Sequence, residues 1–75
     1  MAEVSEVQER LHSANTLIDR LHELPPEEWA DAVFMASLEI EQAAIACSGS
    51  TEPACGTQLL ETRTKFRQTL HDLLS

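Results

Sequence analysis

Seventy-five residues suffice for one domain, near the lower size limit at which a single core sustains a fold. A hydrophobic fraction of 43% argues against wholesale disorder, and no run reaches the ~20 apolar residues that a bilayer-spanning helix needs. The formal net charge of −8 disfavours direct contact with nucleic acid or an anionic membrane surface, both of which present phosphate.

The charge is uneven. Residues 1–48 carry ten acidic side chains against Arg10 and Arg20, a net −8, whereas residues 49–75 balance three acids against Arg63, Lys65 and Arg67. An acidic surface of this kind favours a basic partner surface and faster association at low salt. The aromatics are limited to Trp29, Phe34 and Phe66. A core of Leu, Ile, Val and Ala with so few rings buries little area per residue, so self-association, most simply as a homodimer, is expected. The opening Met1-Ala2-Glu3-Val4 has neither the basic region nor the apolar stretch of a secretory signal, which makes the cytoplasm the expected location.

Two breaks divide the chain. Leu24-Pro25-Pro26 stops a helix, because proline lacks an N–H and pushes its predecessor out of helical geometry. The run from Ser48 to Pro53 is a cluster of turn residues. Between them the patterning predicts three helices, over about 3–24, 26–47 and 52–74, in an all-α, antiparallel up-down-up bundle. The alternative is a helical hairpin with a loosely docked or swapped third helix.

In the first segment Val4, Val7, Leu11, Ala14, Ile18 and Leu21 recur at spacings of 3, 4, 3, 4 and 3, which is one stripe of a helix. Glu3, Glu6 and Glu9 lie at its N-terminal end, where the helix dipole favours negative charge. In the second, Pro26 stands at a first helical position and Glu27 and Glu28 in the first turn. Trp29, Val33, Ala36, Ile40, Ala43 and Cys47 form one row of this helix, while Phe34, Met35, Leu38 and Ile45 lie largely on the other side. A helix apolar on two faces has to be covered on both. The third segment is the weakest, with Leu59, Phe66, Leu70 and Leu73 in a stripe, Leu60 and Leu74 beside it, and Thr62, Thr64 and Thr69 lowering helicity. Gly56 and Thr57 leave its start open, at Thr51 or only at Thr57.

Four features invite a functional reading. Cys47 and Cys55 fall at adjoining ends of antiparallel helices, so a disulfide is geometrically permitted, although a reducing cytosol would keep both as thiols. His12, His22 and His71 lack metal-ligand spacing, and His22 and His71 fall at the opposite end of the bundle from the cysteines. No nucleophile elbow, phosphate loop or paired carboxylate is present, Glu39 and Glu41 pointing to different faces. No enzymatic activity, cofactor or metal is therefore expected. Arg63 and Arg67, four apart on one helix face, are candidate contacts for a small anion between helices or subunits, or else partners for acids of the first two helices. The second apolar set of this helix, together with Trp29, is the strongest candidate. Either three-helix packing buries Trp29, Phe34, Met35, Leu38 and Ile45, or they form a dimer or partner interface of the aromatic, Met and Leu kind that anchors protein contacts. Trp29 itself is expected to pack over the Leu24-Pro25 turn.

The expected function is a small acidic protein-binding module that regulates, inhibits or sequesters another protein, a role for which phage inhibitors, secretion chaperones and immunity proteins of this size offer fold-level analogies only. The alternatives are a binder of small anionic ligands and an acidic mimic of nucleic acid.

Overall fold

The computed structural model describes residues 6–50 and 54–75 and forms three helices. Helix α1 spans Glu6–Leu21, α2 spans Trp29–Ser48 and α3 spans Cys55–Leu74, with a short 3₁₀ turn at Pro26–Glu28 leading into α2. Among the described residues there is no strand, and no helix is long and apolar enough to cross a membrane.

Side-chain pairs fix the arrangement. Arg10 of α1 reaches Glu39 of α2 at 3.3 Å, and Val7 and Leu11 cluster with Ala43, so early residues of α1 meet late ones of α2. Those helices are antiparallel. Along α1 and α3 the order runs the same way: Gln8 bonds Gln58, Asn15 donates to Thr62 at 3.4 Å, and Asp19 pairs with Lys65 at 2.8 Å. The bundle is therefore up-down-up.

The first helix reads as its periodicity predicts. Val7, Leu11, Ala14, Ile18 and Leu21 are all buried, and the exposed positions are polar or charged. Its end is earlier than the predicted Leu24: the chain turns at Leu21, with Glu23 N–H donating to Arg20 and Leu24 N–H to Leu21. The predicted residues 3–5 of this helix lie outside the described residues. Beyond the turn, Trp29 is half-buried and its indole Nε1 donates to the Leu24 carbonyl at 3.0 Å. The ring thus fastens the start of α2 to the α1–α2 turn. Replacing it as Trp29→Phe keeps a ring but removes the donor, and should lower stability by about 1 kcal/mol in urea unfolding. An unchanged midpoint would mean that water satisfies Leu24 equally well.

Helix α1 is the shared wall of the bundle, packing against α2 and also against α3. The inward row of α2 is made of small residues, Ala32, Ala36 and Ala43, with Ile40 the one large member. Alanine lets α1 and α2 approach closely, and Ala32 replaces the predicted Val33 in that row. On α3 the expectation fails more clearly. Its buried positions are Cys55, Thr62 and Thr69, whereas Leu59, Phe66, Leu70 and Leu73 are only half-buried. The cause is the contact with α1, where half-buried Asn15 bridges inward to Thr62 and outward to Lys65, the latter at 3.2 Å. Short polar side chains at that seam draw α3 over α1 by its threonine edge and turn its larger side chains toward α2.

Cys47 and Cys55 are joined in a disulfide across a Cα–Cα distance of 5.8 Å, in place of the free thiols expected of a reducing environment. The antiparallel return of α3 sets the two helix ends side by side, and that proximity decides the outcome. Val7, Leu11, Ala43 and Leu59 pack around this end of the bundle. The predicted start of α3 near residue 52 lies outside the described residues, and the described part begins at Cys55.

Candidate interaction surface

Two features of α2 and α3 adjoin one another. The first is the outer face of α2. At about 100° per residue, Phe34, Leu38 and Ile45 project within a narrow sector directly opposite the alanine row. Phe34 and Ile45 are each 66% exposed and Leu38 is 37% exposed. Met35, 45% exposed, flanks them on the α1 side, near Leu17, Leu24 and Ala32. Taking about 200 Å² for a large side chain, these four leave roughly 400 Å² of apolar surface in water, the size at which a patch on a monomer is commonly functional.

Trp29 does not belong to this face. Its hydrogen bond to Leu24 holds it at the turn, a quarter to half a circumference away. Glu41 does belong. With Phe34, Leu38 and Ile45 it completes a row spaced 4, 3 and 4, the recurrence of a helix–helix seam. Glu39, two residues earlier, faces α1 and pairs with Arg10.

The second feature is a groove of about 390 Å³ where α2 and α3 diverge. Its floor is apolar, built from Ile40, Phe66 and Leu70. Ser37 and Glu41 stand on the α2 rim, Arg63 and Arg67 on the α3 rim. Neither arginine forms an ion pair or a side-chain hydrogen bond with any described residue. Lys65, the third cation of the trio, points to the other side and pairs with Asp19. The trio is thus split, one charge satisfied within the bundle and two left at the groove.

The groove was legible in part. Arg63, Phe66, Arg67 and Leu70 follow the i, i+3, i+4, i+7 rule, so the two cations flank the apolar stripe of α3. The sequence reading treats the arginines and the stripe separately and passes over Ile40 and Glu41 as groove members. Chemically, an apolar floor with a cationic edge can hold an apolar side chain or ligand with an adjacent negative charge. The cysteines are bonded to each other, and among the described residues no three of His, Cys, Asp and Glu gather closely enough to hold a metal ion.

No protein family matches the chain, and neither does any curated protein or solved structure. Function therefore has to be read from the chain's own residues.

Proposed function

We propose that this chain is a small, acidic, non-enzymatic protein-binding module that regulates, inhibits or sequesters another protein, and that it also associates with itself. The observation that carries the reading is the outer face of α2, where Phe34, Leu38 and Ile45 stand in water although α1 and α3 are both in place. Aromatic, aliphatic and Met side chains grouped in this way are the usual anchors of protein contacts. The exposed acids Asp31, beside the face, and Glu41, within its row, lie on α2, so the complementary surface is an apolar groove with basic residues along it.

A second reading, a small anion held at Arg63 and Arg67, is favoured by their lack of partners among the described residues. Glu41 on the opposite rim of the same groove opposes it. Protein binding ranks first on that ground.

The test uses the oxidised chain as bait in native-host extract, beside a Phe34→Glu/Ile45→Glu variant. Both positions are exposed, so the variant should keep its helical circular dichroism. It should retain at least about tenfold less of any protein, other than the chain itself, that the unaltered bait captures. Equal capture by both baits would defeat the proposal.

A further inference from the structure

We infer that a second copy of the chain docks on this face in a symmetric arrangement, each α2 outer row seated in the other copy's α2–α3 groove and each Arg63/Arg67 pair closing on the other copy's Glu41. The inference rests on the reading above that the face docks protein, and it assigns the groove and the two arginines, which that reading leaves unused.

Three observations lead there. First, both halves of a complementary interface lie side by side on one chain: a ridge of Phe34, Leu38 and Ile45, and a groove floored by Ile40, Phe66 and Leu70. A two-fold axis between them lets each copy offer its ridge to the other's groove, as a closed isologous dimer requires. Second, the exposed face supplies up to roughly 400 Å² per copy, about half of the ~800 Å² per partner in a standard stable interface, which is the scale of a weak dimer that assembles at micromolar concentration.

Third, the charges are complementary. Glu41 sits in the middle of the ridge, between Leu38 and Ile45. Covering the ridge removes water from this carboxylate, which is costly unless a cation meets it. Arg63 and Arg67 stand on the far rim of the groove without partners among the described residues. In a chain of net charge −8, they are the cations placed to offset it. A second copy brings its own Glu41 to them in the same step that buries its ridge. A foreign partner on the same face would exclude the second copy.

Sedimentation equilibrium between about 5 and 200 µM tests this, with each variant's fold checked by circular dichroism. The unaltered chain should show twice the subunit mass, and Phe34→Glu/Ile45→Glu the mass of one subunit. Arg63→Glu/Arg67→Glu alone, and Glu41→Arg alone, should each weaken association at least about tenfold by placing like charges together. Mixing those two variants restores opposite charges at both ends of the two-fold and should recover the dimer. A single-subunit mass for the unaltered chain at 200 µM overturns the inference, as does a dimer that persists without Phe34 and Ile45. So does a mixture that associates no better than its components. In each of these cases, selective capture of another protein in the bait experiment would leave the protein-binding proposal standing. Loss of selective capture beside an intact, charge-swappable dimer would do the reverse.

Discussion

Ile18→Ala should lower the unfolding free energy by about 3 kcal/mol, the middle of the range for a large aliphatic side chain deleted from a packed core. Ile18 is 0% exposed and, with Leu21, is one of the two largest side chains fully enclosed by the bundle. The buried stripe of α1 packs against α2, whose buried row is mostly alanine, so few side chains can move in to fill the space left behind. The total stability of a domain this small is only a few kcal/mol, so the loss consumes most of it. Urea titration followed at 222 nm should show a truncated native baseline, while Ile18→Val should lose only about 1 kcal/mol. A cost below 1 kcal/mol for the alanine variant would mean that α1 is not the central wall of the core.

Reducing the Cys47–Cys55 bond should lower the melting temperature by about 10–20 °C. Closure of so short a loop is worth about 2–3 kcal/mol in the chain-entropy account, and in a domain of this size each kcal/mol moves the midpoint by about 4–8 °C. Scans with and without a phosphine reductant measure it, and Cys47→Ser/Cys55→Ser without reductant should match the reduced protein. The loss falls on a particular place. The bond ties the end of α2 to the beginning of α3, and away from it a groove lies between these two helices. A shift under 3 °C would show that the packing of Val7, Leu11, Ala43 and Leu59 alone holds that end.

The residues differ in how much of this they disclosed. The buried stripe of helix α1 from Val7 to Leu21 was legible residue by residue, though its end was not, because an apolar stripe with polar residues on the other sides has one stable orientation. The two rows of α2 were equally plain, and so was the attachment of Trp29 to the turn. Which row faces inward depends on neighbours, and the pattern contains only hints of it. The alanine row is the one that admits a close helix, while the row with the greater apolar bulk is left outside. Helix α3 misled because leucine spacing was weighed above side-chain size. Thr62 is buried where it meets Asn15, a pairing 47 residues apart in sequence that periodicity does not register, and Thr69 is buried two turns further along the same edge of α3. The cysteines misled for another reason. A general expectation about reducing compartments outweighed a local one about helix ends, and the local geometry prevailed. Of the candidate surface, the outer row of α2 and the arginine pair were visible in the sequence. Their adjacency was not, since it arises from where α3 crosses.

The alanines lining the inside of α2 have one more consequence. A helix that keeps its bulkiest side chains on the outside recovers little solvent-excluded surface when its own chain folds. Most of what it could recover would come from meeting another molecule. Should the proposed dimer form, dilution and denaturant would act on linked equilibria, and the melting midpoint would rise with protein concentration.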